Sequence, residues 1–243
     1  MSEVQTSFKR YEKKYLLTKS QYLAVKRGME QYMIPDAHPR YTICNLYYDT
    51  EQYDLVRTSL EKPVYKEKLR LRSYGVPGSR SPVFVEIKKK FDDVVYKRRI
   101  TMEEREAMPY LQRKRNGDGS QIGREIDWFL KLYRPEPKVF IAYDREAYAA
   151  ANGSELRITF DTGLRVRSDH LDLRFGDHGV PLLQEDLILM EIKIPGTAPL
   201  WLSHLLSENR IFPASFSKYG MYYKSFVLGG RSAEIGKEDL LSA

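Results

Sequence analysis

A chain of 243 residues, 42% hydrophobic and 12% aromatic, has enough apolar material for one large folded domain, which excludes a disordered polymer. Its formal net charge of +7 points to a polyanionic partner: nucleic acid, an anionic membrane or phosphates. The single cysteine, Cys44, excludes an intrachain disulfide and a cysteine-based zinc site, and suits a reducing compartment.

The N-terminal stretch MSEVQTSFKRYEKKYLL has no apolar signal region, and no run approaches the roughly 18–20 apolar residues of a membrane helix, so a cytoplasmic protein is expected. Phe8–Leu17 alternates as a strand does. Thr18-Lys-Ser20 opens a helix over Gln21–Tyr32 that Pro35 ends, and Thr42–Asp49 reads as a strand. A short helix follows at Gln52–Thr58. Val64–Tyr74 and Pro82–Lys90 are strands joined by the turn-rich SYGVPGSRSP, and Val94–Ile100 is another. Thr101 with Glu104 has the spacing of a capping box. A polar loop over 113–123 precedes a helix at Glu125–Tyr133. Strands are then expected at Lys138–Tyr148, Glu155–Thr162, Leu164–Arg167 and Leu187–Ile194, and helices at Pro199–Asn209 and Ser217–Val227. The domain spans 8–227, with a flexible tail over 228–243. The absence of a βαβ rhythm indicates an α+β fold with a largely antiparallel sheet.

Residues of equal parity share one face of a strand. In KEKLRLR, Lys66, Lys68, Arg70 and Arg72 share a face opposite Glu67, Leu69 and Leu71. In VFVEIKKK, Glu86, Lys88 and Lys90 oppose Val83, Val85 and Ile87. The same holds for Arg157, Thr159 and Asp161, for Arg165 and Arg167, for Glu191 and Lys193, and for Arg10, Glu12 and Lys14. A single strand of this kind is ordinarily a solvated sheet face. Six of them, dominated by cations that repel when side by side, point to a closed sheet turned inside out. Its cations would line a tunnel around a phosphate chain, and Glu12, Glu86 and Glu191 would orient the cations or hold Mg²⁺ or Mn²⁺. Arg165, Arg167 and Lys193 belong to this lining.

The segments RYEKKYLL (10–17), NLYYD (45–49), KLRLRSYG (68–75), VFVEIKKK (83–90), YKRR (96–99), AYDREAY (142–148), LRITFDTGLRVR (156–167), LMEIKIPG (189–196) and FSKYGMYYK (216–224) come in an order that resembles the VTC domain. That is the catalytic domain of polyphosphate polymerases, within the triphosphate tunnel metalloenzyme (CYTH-like) superfamily. The resemblance implies an eight-stranded antiparallel tunnel barrel with a cationic interior and helices outside. It implies transfer of the ATP γ-phosphoryl group to a growing inorganic polyphosphate chain with a divalent metal, Mn²⁺ or Mg²⁺. By motif, Lys14, Arg70, Arg72, Lys88, Arg145 and Arg157 would bind the triphosphate. Lys97, Ser217 and Lys218 join them, and Glu191 would be the metal ligand. Where the eukaryotic enzyme has a threonine and a histidine after the lysine matching Lys88, this chain has Lys89 and Lys90.

Other residues carry blander readings. His38, His170, His178 and His204 lack metal-ligand spacing. Lys89 and the Arg113–Arg115 run read as solvated, and Tyr47, Tyr48, Tyr143 and Tyr148 as packing residues. Trp201, Leu202, Leu205 and Leu206 have the spacing of a buried helix face. Three rivals to the polymerase are a triphosphatase of the same fold, a non-catalytic polyphosphate binder and a nucleic-acid binder. The last lacks stacking aromatics among its basic positions. The first is disfavoured by Arg10 standing where such triphosphatases carry the leading Glu of an ExExK strand.

Overall fold

The computed structural model describes residues 10–92, 94–115 and 117–230. Its elements are β1 (Arg10–Thr18), α1 (Lys19–Met29), β2 (Met33–Asp49), α2 (Asp54–Leu60), β3 (Tyr65–Tyr74), β4 (Pro82–Phe91) and β5 (Val94–Glu103). They continue with α3 (Glu104–Leu111), α4 (Gln121–Tyr133), β6 (Glu136–Ala150), β7 (Arg157–Arg167), β8 (Val180–Pro181), β9 (Leu187–Pro195), α5 (Leu200–Glu208) and α6 (Lys218–Tyr222). One turn of π-helix follows over Tyr223–Leu228. Residues 231–243, most of the expected tail, lie outside the described residues, as do 8 and 9.

One antiparallel sheet contains every strand, in the order β1-β9-β7-β6-β2-β3-β4-β5, with β8 on β7. The expected α+β class therefore stands, but the ladder does not close. Among the described residues β1 and β5 are the two ends of the path, with no pairing between them. The sheet nevertheless curls. Lys14 on β1 donates from Nζ to the carbonyl of Phe216 (2.9 Å), while Lys68 on β3 donates to the hydroxyl of the next residue, Ser217 (3.1 Å). The segment before α6 thus bridges two strands far apart in the sheet order.

Three apolar clusters fix this shape. On the convex face, Ile158, Phe160, Met190 and Ile192 pack under Val25 and Met29 of α1 and Leu202 of α5. Also convex, Leu69, Leu71, Val85 and Ile87 pack under Ile126, Phe129 and Leu130 of α4. Burial of each such side chain contributes about 1.5–3 kcal/mol. The third cluster lies on the concave face. Leu16, Ile43, Val139, Ile141, Leu164, Val166, Leu187 and Leu189 pack against Tyr219 and Tyr222. The expectation that apolar positions all face outward is thus corrected: part of the interior is filled with side chains, which the C-terminal helical segment covers.

Local differences have clear causes. Thr101 pairs with Phe84 in the ladder, so it caps nothing, and α3 begins at Glu104. Thr18 does form a capping box, with Gln21. Pro35 lies inside β2, at a register shift where the ladder is interrupted. The two strands expected at Glu155–Thr162 and Leu164–Arg167 are one bulged strand, β7.

Asp49, at the end of β2, anchors both α2 and α6. Its fully buried carboxylate accepts from the backbone N–H groups of Thr50 (2.8 Å), Leu55 (2.9 Å) and Val56 (2.9 Å), and from the Tyr219 hydroxyl (2.8 Å). Asp49→Ala orphans these donors and is expected to cost about 2–4 kcal/mol in a denaturant titration. A loss under about 0.5 kcal/mol would mean that water replaces the carboxylate.

Candidate active site

The concave face carries two charge centres. The first is built on the β2–β3–β4–β5 ladders, whose register sets Tyr47, Arg70, Glu86 and Arg99 in one row. Arg70 donates to Glu86 Oε2 from Nε (2.8 Å) and NH2 (2.6 Å), and to the Tyr47 hydroxyl (3.2 Å). Arg72 is buried. It donates to Asn45 Oδ1 (2.9 Å) and the Tyr143 hydroxyl (3.4 Å) and lies 3.8 Å from Glu86. Lys97 reaches Glu86 Oε1 at 2.9 Å. Burial alone would raise the Glu86 pKa, but Arg70, Arg72 and Lys97 outweigh it and hold the carboxyl down at about 2.

That depression has a consequence in acid. A carboxylate whose folded pKa lies below its unfolded value of roughly 4.3 contributes stability above that value and loses it as pH falls towards 2. The contribution is on the order of 3 kcal/mol. Glu86→Gln is expected to flatten the stability profile between about pH 5 and 2, as measured by denaturant titrations. An unchanged slope would show that other carboxylates dominate.

The second centre joins β6, β7, β9 and α6. Asp161 is fully buried. It accepts from Arg145 Nε (2.6 Å) and NH2 (2.7 Å) and from Lys218 Nζ (2.7 Å). Arg145 and Lys218 also reach Glu191, at 3.2 and 3.3 Å, and Lys14 lies 3.9 Å from it. Burial would raise the Glu191 pKa, yet Lys218, Arg145, Lys14 and Lys193 hold it well below the carboxylate range. The Tyr143 ring lies under both Lys218 (4.3 Å) and Arg145 (5.3 Å).

Beside the first centre, two residues along the same strands, runs a row of lysines. Register aligns Lys68, Lys88 and Lys97 across β3, β4 and β5. Burial and then Lys66, Lys88, Lys14 and Arg70 push the Lys68 ammonium down to about 7. Lys88 keeps solvent-accessible surface, but protein surrounds its ammonium, so desolvation is the chief cause that lowers its pKa, with Lys14 and Arg70 adding to it and Glu12 and Glu191 opposing. An ammonium that feels β1 and β9 from β4 faces into the curl of the sheet.

The VTC domain family matches residues 9–227. The chain belongs to the VTC domain family. No curated protein matches it in sequence. Among solved structures, a candidate adenylate cyclase from Bacillus halodurans is similar in fold (TM-score 0.53, 13% identity, 85% of this chain and 92% of that one). A candidate adenylyl cyclase from Hippeastrum, described as having a dominant triphosphatase activity, gives a TM-score of 0.49 at 15% identity over 90% of this chain and 95% of that one.

The remaining predicted residues of this VTC domain fall in three places. Arg157 and Lys193 are register partners at one rim of the concave face, where Arg157 is exposed and ion-paired with Asp36. Ser217 caps α6, accepting from the Gly220 N–H, as well as meeting Lys68. Arg165 and Arg167 lie on the opposite, convex face. A bulge at Gly163, whose φ is +55°, reverses the parity of β7, so Val166 turns inward and the two arginines outward. Arg165 pairs with Asp144 (2.9 Å) and Asp177 (2.6 Å). Arg167 lies over the Phe140 ring and donates to the carbonyls of Asp172, Gly176 and His178. Sequence parity did not carry across the bulge.

Three roles were not assigned from sequence. Asp161 holds Arg145 and Lys218, and Tyr47 and Tyr143 are more than packing residues, since they orient the arginines. Strand register reveals the pairing of Asp161 with Arg145 and of Tyr47 with Arg70, whereas Lys218 and Tyr143 reach their partners only through the tertiary fold. Lys68 shares a face with Arg70 in the sequence pattern, and that signal was sufficient to find it.

The resemblance read from the sequence implies a divalent ion. Among the described residues no cluster of three or more metal-ligating side chains exists. Asp161 is saturated by Arg145 and Lys218, which leaves Glu191 and, across Lys14, Glu12. One or two carboxylates fit an ion of the Mg²⁺ class that arrives with phosphate oxygens as its other ligands. They do not fit a cage formed by the protein alone.

Proposed function

We propose that this VTC domain, one unit over 8–227, transfers the γ-phosphoryl group of ATP to a growing inorganic polyphosphate chain. The observation that supports this most is the convergence of Lys14, Arg70, Arg72, Lys97, Arg145 and Lys218 on one concave face, each held by a carboxylate or a tyrosine. Phosphoryl transfer asks mainly for positioning and charge neutralisation, without a protein nucleophile.

In this reading the guanidinium forks of Arg70 and Arg145 are set by Glu86 and Asp161 and present their free edges to non-bridging phosphate oxygens. Arg72 and Lys218, buried beside them, keep the reacting end dry and electropositive. Lys88, inside the curl, follows the chain as it shifts. Arg157 and Lys193 meet it at the rim, and Ser217 positions Lys68. Glu191, with Glu12, would hold Mn²⁺ or Mg²⁺, which when bound neutralises charge on the triphosphate. Arg165 and Arg167 brace the convex face and take no part. The buried free Cys44 suits a reducing cytoplasm, where ATP is plentiful.

The test is incubation with ATP and Mn²⁺, with and without a short polyphosphate primer, following chains on a gel together with ADP and orthophosphate. A ladder with matching ADP is expected. Orthophosphate without chains would make the domain a triphosphatase, and no product with tight polyphosphate binding would make it a non-catalytic binder.

A further inference from the structure

Helix α4 turns Ile126, Phe129 and Leu130 onto the sheet, and its other side keeps Trp128 in water. Arg124, Glu125 and Trp128 lie three, four and seven residues after Gln121, so the four form one stripe along the helix. With Lys89 of β4 they line a cleft of about 330 Å³, the size of a small-ligand site. Lys89 has the parity of Val85 and Ile87, which pack under α4, so the cleft opens on the convex face. The sheet itself separates it from Glu86 and Lys88.

A lone exposed ring needs no explanation, but Trp128 stands among polar groups with capacity to spare. It is 57% exposed and has no ring or cation partner among the described residues. The Gln121 amide has no hydrogen-bond partner among them either. Arg124 donates from NH1 to the carbonyl of Gly119 (2.6 Å), which leaves NH2 for a further acceptor. Glu125 is held at both oxygens, by Arg98 on one side and by Lys89 (3.6 Å) on the other. A carboxylate fixed in this way keeps lone pairs for an N–H of a ligand.

These groups together define a ligand. The indole offers a flat apolar face to a flat ring. Gln121 and Glu125 offer hydrogen-bonding edges to the rim of that ring. Two cations, Arg124 and Lys89, against one carboxylate favour a ligand with an anionic group and disfavour a quaternary ammonium ion. One ring lines the cleft, enough for a single base, whereas a nucleic-acid strand needs successive platforms.

We propose that this cleft binds one free nucleotide, with its base on Trp128, the base edge at Gln121 and Glu125, and its phosphate on Arg124. The site lies on the opposite side of the sheet from the arginine centres, and the proposal does not rest on the phosphate-transfer reading.

The test is a fluorescence titration of the W201F protein with adenosine and guanosine monophosphates, alone and with excess tripolyphosphate. The chain has two tryptophans, so W201F leaves Trp128 as the reporter. At least one monophosphate is expected to quench Trp128, with an affinity that tripolyphosphate changes by less than about twofold, because distant sites act independently. Adding R124Q is expected to weaken binding about tenfold, through loss of a charge-assisted contact. Arg124 is exposed, and an unchanged thermal melt would report that the variant folds. W128A, followed by calorimetry, is expected to lose about tenfold or more, the worth of one stacked base. Absence of quenching by either nucleotide would overturn the proposal, as would full affinity in R124Q. Quenching that tripolyphosphate abolishes would place the nucleotide on the concave face and overturn it too. Single-stranded RNA that quenches Trp128 at tenfold lower concentration than the monophosphates would replace it with a nucleic-acid surface.

Discussion

Asp161→Ala is expected to destabilise the protein by about 3–5 kcal/mol, because it strands buried cations. Asp161 has no solvent exposure and accepts three hydrogen bonds, two from Arg145 and one from Lys218. Without it, Arg145 and Lys218 have one carboxylate left, Glu191, which they share with Lys14. The variant should be rescued by its ligand. Tripolyphosphate supplies the missing negative charge, so it is expected to raise the melting temperature of Asp161→Ala more than that of the wild type. Thermal melts with and without the anion would measure this. Equal shifts in the two proteins would mean that the phosphate does not reach Arg145 and Lys218.

Lys68→Met is expected to have the opposite effect, stabilising the empty protein while weakening its hold on phosphate. A lysine whose folded pKa lies near 7 opposes folding at neutral pH, and the opposition fades as pH rises towards its unfolded value of roughly 10.4. Removing the ammonium is expected to gain about 1–2 kcal/mol at pH 7, after allowance for solvent screening. The gain should shrink by about pH 10, where the wild-type lysine is already largely neutral in the fold. Denaturant titrations at the two pH values would test the sign. A variant less stable than the wild type at pH 7 would show that the hydrogen bond to Ser217 outweighs the repulsion.

Much of the site was legible in the sequence because strand alternation is a rigid rule. Arg70 and Arg72, Glu86 and Lys88, and Glu12 and Lys14 share the faces that their parity assigns, and the ladders set Lys68 beside Lys88. The rule failed where the backbone broke its period. One bulge at Gly163 sent Arg165 and Arg167 to the far side. It failed again where chemistry was read as direction. Leu16, Leu187 and Leu189 have the parity of Lys14 and Glu191 and point inward with them, into the concave cluster. Closure of the sheet was not legible at all, because no strand's own sequence states its neighbours: among the described residues β1 and β5 do not pair with each other, and residues 213–214 cover part of the outer edge of β1.

The pairing of β1 with β9 sets an order of events during synthesis. Tyr15 lies opposite Met190, so almost the whole domain must leave the ribosome before this ladder can form. Strands β3, β4 and β5 are consecutive hairpins, and Arg70, Glu86 and Lys97 can meet early. Asp161, Glu191 and Lys218 cannot, because they wait for the far end of the chain. Distant pairings are slow and costly in loop entropy. A nascent chain therefore carries half of its cationic lining well before the other half, and full affinity for phosphate should arrive only with the last strand and helix.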